Sequence, residues 1–204
     1  MIKYLIGDAT QPTPVESEGS PFNGGVRLIC HICNTRGGWG RGFVTALSKR
    51  WPEPEREYRR WSRGDYATLF MDSPNPSRPF ELGQIQVVKV EPRPLAGPSR
   101  TFTPPIWVVN MISQEGYGPA NKAQHQDGLV NTKPPIRYDA LEQCLKQVES
   151  LLALVVGTVH MPRIGTGLGG GTWSEIEPII ERTLSDWPVY VYDLPGSGVG
   201  GANG

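Results

Sequence analysis

The stretch His160-Met-Pro-Arg-Ile-Gly-Thr-Gly-Leu-Gly-Gly-Gly-Thr-Trp173 decides how the rest of the chain is interpreted. Five glycines fall within residues 165–171, between an apolar run that ends at Met161 and a helical pattern that begins near Trp173. The pattern predicts a strand, a loop of nearly bare backbone and a helix start. Because such a loop brings unpaired N–H groups close to a ligand, it is typical of phosphate binding. A structural turn is the alternative, since the spacing matches neither the P-loop nor the usual dinucleotide fingerprint.

Composition limits the class of protein. The 204 residues suit a single domain, and 20 basic residues balance 20 acidic ones, so the overall charge predicts neither nucleic-acid nor membrane binding. Three cysteines and a start without an apolar signal segment favour a reducing, cytoplasmic location. Residues 196–204 have nothing to bury and should form a disordered tail. The 20 prolines and 25 glycines predict loop insertions near 11–25, 66–82, 92–105 and 114–135.

The spacing of apolar residues predicts an α/β fold. We expect strands at 2–6, 26–33, 84–90, 106–112, 158–161 and 189–194, and helices at 43–51, 55–63, 137–155 and 173–184. This order predicts a three-layer α/β/α domain with a mixed central sheet. Ligands of such sheets bind beyond the carboxyl ends of strands. The segments that begin at Gly7, Asn34, Ser113 and Gly165 should therefore converge on one edge.

Cys30 and Cys33 have the C-x-x-C spacing of many metal sites. In a strand, however, residues three apart point to opposite faces of the sheet, so the two thiols could not bind one ion. We therefore expect no metal and no cofactor.

The segments named above resemble the macrodomain family, whose members bind ADP-ribose. The similarity covers nearly the whole chain from Tyr4 to Leu194 and implies one macrodomain over residues 1–195. The motifs are similar to the branch that contains the terminal ADP-ribose protein glycohydrolase and the yeast ADP-ribose 1″-phosphate phosphatase, and more closely to small actinobacterial macrodomain hydrolases. They are Gly-Asp-Ala-Thr at 7–10, Cys-Asn-Thr-Arg-Gly-Gly-Trp-Gly-Arg-Gly at 33–42, Met-Pro-Arg-Ile-Gly-Thr-Gly-Leu at 161–168, and the ending at 189–194.

The resemblance implies roles at the adenosine and ribose ends of the ligand. Asp8 would accept a hydrogen bond from the adenine amine, or else would serve only the turn after Gly7. Asn34 would hydrogen-bond the distal ribose. Trp39 is either a wall over that ribose or a core aromatic residue. Two further residues would lie near the adenine, where strand packing explains them equally well; they are Tyr192 and Leu194.

The resemblance also assigns the diphosphate to the glycine-rich loop. The backbone N–H groups of Thr166, Gly167 and Leu168 would hold it without a metal. Other positions in the motifs are expected to line the ligand. They are Ala9, Gly38, Gly40, Gly42, Ile164, Gly165 and Gly169.

Catalysis is expected to differ from that of the related glycohydrolase. That enzyme uses a Lys that forms a covalent adduct with the ribose and an assisting Asp, and the aligned positions here hold Gln114 and Gly169. Neither residue can form a Schiff base or transfer a proton, so the covalent mechanism requires a different loop alignment that recruits Lys122. The remaining mechanism is attack by a water that Asn34, Gln114 and the ligand's own phosphate orient.

Other titratable residues are weaker candidates. Glu115, His125 and Asp127 could act as acid or base, although a solvated loop position is the commoner role for such residues. His31 and His160 are expected to be buried structural residues.

The function expected from these residues is an ADP-ribosyl hydrolase. It would remove mono-ADP-ribose from acidic side chains, and perhaps from DNA bases, and would act as a monomer. Its partners would be ADP-ribose and ADP-ribosylated protein or DNA. The alternatives are a non-catalytic ADP-ribose reader and a phosphatase acting on ADP-ribose 1″-phosphate.

Overall fold

The computed structural model describes residues 2–13, 22, 24–65, 79–90, 104–117, 123–124, 130–131 and 133–196. The predicted insertions at 66–82 and 92–105 and the predicted tail lie largely outside these residues. None of the described helices is both long and apolar enough to span a membrane. The elements are β1 (Ile2–Ile6), β2 (Val26–Asn34), α1 (Phe43–Arg50), α2 (Glu53–Ser62), β3 (Ile85–Val90), β4 (Ile106–Gln114), β5 (Ala123–Gln124), β6 (Val130–Asn131), α3 (Tyr138–Leu152), β7 (Gly157–Pro162), α4 (Trp173–Thr183) and β8 (Val189–Asp193).

Six strands form one mixed sheet in the order β1-β8-β7-β2-β4-β3. Only β3 runs antiparallel to its neighbour, β4; all other neighbours in this sheet pair in parallel. The carboxyl ends of the five parallel strands therefore meet at one edge, where the segments after β1, β2, β4, β7 and β8 converge as expected.

The two faces of the sheet are covered by different helices. Side chains of α3 and α4 pack on one face, including Leu141 and Ile180, and those of α1 and α2 pack on the other, including Leu47 and Tyr58. This arrangement confirms the three-layer α/β/α prediction.

The cysteines follow the same division. Cys30 packs in the core beneath α3 and α4, whereas Cys33 packs beneath α1 and α2, so the two thiols lie on opposite faces as expected. Cys30, Cys33 and Cys144 are buried free thiols, and burial raises the pKa of each above its ordinary value.

The observed boundaries differ from the predicted ones at functional points. β4 continues two residues past the predicted end at residue 112, so Gln114 belongs to the strand, where it bridges to Ile136. α2 begins at Glu53 rather than residue 55, because Pro54 is tolerated in a first helical turn. The segment 113–135 contains the antiparallel pair β5 and β6, and strands of two residues are too short to produce a visible period.

Candidate ligand-binding and catalytic site

The loop between β7 and α4 is held by its own backbone. The N–H of Gly170 donates to the carbonyl of Gly167 at 3.0 Å, and the N–H of Gly171 donates to the carbonyl of Gly165 at 2.9 Å. Gly165 has a φ of 80°, and a Cβ there would stand 2.5 Å from Cδ1 of Ile136. The loop thus packs so closely on the core that only glycine fits at its first position.

Four consecutive N–H groups of this loop have no acceptor among the described residues. Within the described part of the chain, the amides of residues 166–169 donate to no carbonyl and to no side chain. The hydroxyl of Thr166 bonds instead to the carbonyl of Arg163 at 3.0 Å. A row of unpaired N–H groups before a helix start is a suitable site for a phosphate or diphosphate.

Gln114 lies directly against this loop. A Cβ on Gly169 would stand 2.8 Å from Nε2 of Gln114 and 2.7 Å from the carbonyl oxygen of Gly165. The position that aligns with a catalytic Asp in the related glycohydrolase therefore has no space for a side chain. The amide of Gln114, the last residue of β4, occupies the adjacent space.

Asn34 is used to build the loop that follows β2. Its Oδ1 accepts from the N–H groups of Arg36 and Gly38, both at 3.0 Å, and its Nδ2 donates to the carbonyl of Gly38 at 2.8 Å. The phenol of Tyr58 hydrogen-bonds both the N–H and the carbonyl of Asn34. Two acceptor sites and one donor hydrogen are thus satisfied, which leaves one Nδ2 hydrogen for a ligand.

Tyr117, which sequence reasoning missed, lies over this loop. A Cβ on Gly38 would stand 2.9 Å from Cε1 of Tyr117 and 3.3 Å from Nδ2 of Asn34. The ring is 56% exposed, and the guanidinium of Arg36 lies 6.0 Å from its centroid. The signal available in the sequence was an aromatic residue three positions after Gln114, the polar residue at the end of β4.

Trp39 belongs to the core. It is 9% exposed, its Nε1 donates to Ser48 at 2.8 Å, and its ring contacts those of His31 and Tyr58. The core alternative accounts for these contacts, and a ligand contact by Trp39 stays a prediction. By contrast, Gly40 and Gly42 are exposed, and a Cβ on Gly42 would stand 3.8 Å from Cδ1 of Leu168, so the two glycine-rich loops approach each other.

Asp8 lies in a turn after β1. Its Oδ1 accepts from the N–H of Thr10 at 2.9 Å, while among the described residues its Oδ2 has only a 3.5 Å contact with the side-chain amide of Gln11. The carboxylate therefore serves the turn with one oxygen and keeps the other for a ligand donor. Both roles considered for Asp8 are compatible in this geometry.

The other residues predicted beside the adenine are divided between core and surface. Tyr192 packs with Ala9 and Tyr190, and its phenol bonds Nδ1 of His160 at 2.8 Å. Leu194 is exposed beyond the end of β8. Strand packing thus accounts for Tyr192, and its contact with a ligand stays a prediction.

Three of the titratable candidates, Glu115, His31 and His160, have roles within the protein itself. Glu115 is paired with Arg137, whose Nε lies 3.0 Å from its Oε2. Burial lowers the pKa of His31 to about 4 and, with a smaller effect of Arg27, lowers that of His160 to about 3, so both rings are neutral near pH 7, as their expected structural role requires. The other candidates, Lys122, His125 and Asp127, lie outside the described residues.

Arg163 ties the glycine-rich loop to the neighbouring strands. Its Nε and Nη2 donate to the two oxygens of Asp193 at 2.6 and 2.9 Å. Its guanidinium lies 5.0 Å from the ring centroid of Tyr4 and 5.1 Å from that of Trp173. This bidentate pair links the start of the loop to the end of β8. In the sequence, Arg163 was indicated only by its position in Pro-Arg-Ile before the glycines.

The sequence and the fold are similar to those of known proteins. No protein-family model matches the sequence. The chain is 38% identical to a macrodomain protein from Streptomyces coelicolor, with a TM-score of 0.65 over 95% of this chain and 99% of the other. It is 40% identical to a protein of unknown function from Bacteroides thetaiotaomicron, with a TM-score of 0.69 over 95% of this chain and 98% of the other.

Curated relatives are more distant. An ADP-ribose 1″-phosphate phosphatase from Debaryomyces hansenii is 25% identical over 89% of this chain and 93% of its own length. The chain spans only 14% of a chromodomain-helicase-DNA-binding protein 1-like from Danio rerio, to which it is 27% identical.

Proposed function

Because this chain belongs to the macrodomain family, we propose that its strand-edge site binds ADP-ribose and hydrolyses an ADP-ribosyl bond. The observation that carries the proposal is that Asp8, Asn34 and the amides of residues 166–169, which have no acceptor in the described part of the chain, converge at one edge of the sheet. The loop amides would hold the diphosphate, the second oxygen of Asp8 would accept from the adenine amine, and the remaining Nδ2 hydrogen of Asn34 would bond the distal ribose.

Gln114 is the proposed catalytic residue. Its amide lies against Gly169 in the glycine-rich loop, and Asn34, the last residue of β2, is its partner in the register of the sheet. A side-chain amide can orient a water but cannot remove its proton, so catalysis would rely on positioning and on the charge of the bound phosphate.

The chemistry of the leaving group favours acidic side chains as the attachment point. A carboxylate can leave the anomeric carbon of the ribose without prior protonation, because its conjugate acid has a pKa of about 4. Among the described residues, Glu115 is paired with Arg137 and the two described core histidines are neutral near pH 7, so a leaving group that needs no general acid suits the site. ADP-ribosylated DNA bases are the second substrate to test.

Release of ADP-ribose tests the proposal. Wild-type protein should release ADP-ribose from a glutamate-linked ADP-ribosyl peptide, and Gln114→Ala should lower kcat at least about tenfold while it retains ADP-ribose affinity. Calorimetry with ADP-ribose measures affinity independently of turnover. Tight binding with no release from either the peptide or ADP-ribosylated DNA would reject hydrolysis and identify a reader.

Phosphatase activity is a second candidate, favoured by the similarity to the Debaryomyces hansenii protein over most of both chains. Release of inorganic phosphate from ADP-ribose 1″-phosphate, lost in Gln114→Ala, would support it. Phosphate release that exceeds peptide hydrolysis in kcat/KM would make it the principal activity.

A further inference from the structure

Helix α2 lies against the loop that follows β2, which holds the proposed contact with the distal ribose. Its side chains hydrogen-bond the backbone of this loop. The phenol of Tyr58 accepts from the N–H of Asn34 at 3.3 Å and donates to the carbonyl of the same residue. Nη2 of Arg59 donates to the carbonyl of Trp39 at 3.0 Å. The helix therefore holds both the start and the centre of the loop.

The contact with Asn34 falls where the sheet itself is irregular. The register between β2 and β4 shifts after Cys33, so that Asn34 is paired with Gln114. The other neighbour of β2, β7, pairs with it only as far as Ile29. Strand pairing therefore constrains the backbone of Asn34 less than that of the residues before it. The phenol of Tyr58 bonds both backbone polar groups at this point.

Tyr58 has a fixed position in the core. It is fully buried, and its ring centroid lies 5.4 Å from that of Trp39 and 5.5 Å from that of Phe80. Burial raises the pKa of the phenol above its ordinary value, so the hydroxyl keeps the hydrogen that it donates to Asn34. A buried hydroxyl that bonds two groups of one residue restricts the backbone of that residue.

Buried side-chain amides fix α2 on the sheet. Nδ2 of Asn110 in β4 donates to the carbonyl of Pro54 at 3.2 Å. Nε2 of Gln86 in β3 donates to the carbonyl of Glu57 at 3.0 Å, and the two amides bond each other at 2.9 Å. Because buried polar groups are costly to leave unpaired, these bonds favour one position of the helix. The sheet thus determines where the hydroxyl of Tyr58 lies.

We propose that Tyr58 is a positioning residue for the distal ribose. By holding the backbone of Asn34, it directs the remaining Nδ2 hydrogen of that side chain toward the ribose. The inference rests on the proposed function, in which Asn34 makes this contact. Recognition of the ribose then depends on a buried residue that does not touch the ligand. Removal of the phenol hydroxyl should therefore weaken only the binding of ligands that contain this ribose.

The test compares ADP-ribose with ADP, which lacks the distal ribose, by calorimetry. Tyr58→Phe keeps the ring in the core and removes the hydroxyl. The affinity for ADP-ribose should fall about tenfold, as expected when one hydrogen bond to the ligand is lost, and the affinity for ADP should be unchanged. A merely structural role of the hydroxyl would leave the ratio of the two affinities at its wild-type value.

Two further variants complete the test. Val148→Ala truncates a buried residue on the opposite face of the sheet from Tyr58, so it should lower stability and keep the wild-type ratio. Arg59→Gln removes a contact with the same loop from a half-buried side chain, and it should lower the ratio as Tyr58→Phe does.

A wild-type ratio in Tyr58→Phe would overturn the positioning role, while ADP-ribose binding by the wild-type protein would still support the proposed function. If Tyr58→Phe does not fold, the ratio in Arg59→Gln decides in the same way. Absence of ADP-ribose binding by the wild-type protein would overturn both.

Discussion

Nε2 of Gln114 lies 2.8 Å from the point at which a Cβ would stand on Gly169. The end of β4 and the glycine-rich loop are thus in contact through one side-chain amide and one glycine. This contact makes the glycine a structural requirement.

Gly169→Ala should destabilise the protein, because the added methyl would also stand 2.7 Å from the carbonyl oxygen of Gly165. Overpacking of this kind costs about 1–3 kcal/mol. Urea unfolding measures the free energy of unfolding. Gly167→Ala is the matched control, since a Cβ there has no neighbour within 4 Å, and its stability should equal that of wild type. Equal losses in both variants would contradict the close-packed loop.

Asp8→Asn separates the two roles of Asp8. The asparagine oxygen can still accept from Thr10, so thermal stability should be retained, but the second carboxylate oxygen is replaced by a donor. We expect affinity for ADP-ribose to fall about tenfold in calorimetry, as expected for one lost charge-assisted hydrogen bond. Unchanged affinity would show that Asp8 serves only the turn and would reject its assignment to the adenine.

Asn34→Ala should weaken folding and binding together. It removes three hydrogen bonds to the loop, whose loss costs about 1 kcal/mol each. Urea unfolding and ADP-ribose calorimetry on the same preparation measure both effects. Thr35→Ala is a neighbouring control that removes one hydrogen bond, from the N–H of Gly116. A loss of binding in Asn34→Ala without a loss of stability would indicate that Asn34 acts on the ligand alone.

Two buried histidines should make stability depend on pH. Their folded pKa values are about 4 for His31 and about 3 for His160, below the unfolded value of about 6.5. At a pH between the folded and the unfolded value of each ring, the unfolded chain therefore binds more protons than the folded protein. Their contribution is complete above about pH 6.5 and is lost as the pH falls, by about 1.4 kcal/mol per unit for each ring. Urea unfolding at pH 7 and pH 5 measures the loss. The loss of unfolding free energy between pH 7 and pH 5 should be about 2 kcal/mol smaller in His160→Gln than in wild type. An identical loss in the two proteins would contradict a neutral buried ring at His160.

Much of the fold could be predicted because its signals are local. The apolar runs at 26–33 and 106–112 and the stripe along 137–155 specify strands and a helix through their periods, and the parallel order places Gly7, Asn34 and Gly165 on one edge. The pair β5 and β6 was missed because two residues carry no period. The strand extension to Gln114 was missed because its pairing with Ile136 joins distant parts of the chain.

The candidate site was predicted by motif rather than by contact. Sequence indicated that Asp8, Asn34 and the loop 165–171 belong together, but the partners of their side chains depend on residues far away in the chain. Tyr117 over Gly38 and Arg163 between Tyr4 and Trp173 are contacts of this kind, and the local signals at Tyr117 and Arg163 do not identify the residues that they contact.

By itself, the sequence determined the layered fold, the family and the glycine-rich loop, because backbone conformation and apolar period are encoded by neighbouring residues. Only the tertiary structure decided what those residues do. Most hydrogen-bonding groups of the Asn34 side chain bond its own loop, one oxygen of Asp8 accepts from the turn after β1, and Gln114 packs against Gly169. The physical reason is that hydrogen bonds and close packing are satisfied in space, where strands from distant parts of the chain end at the same edge.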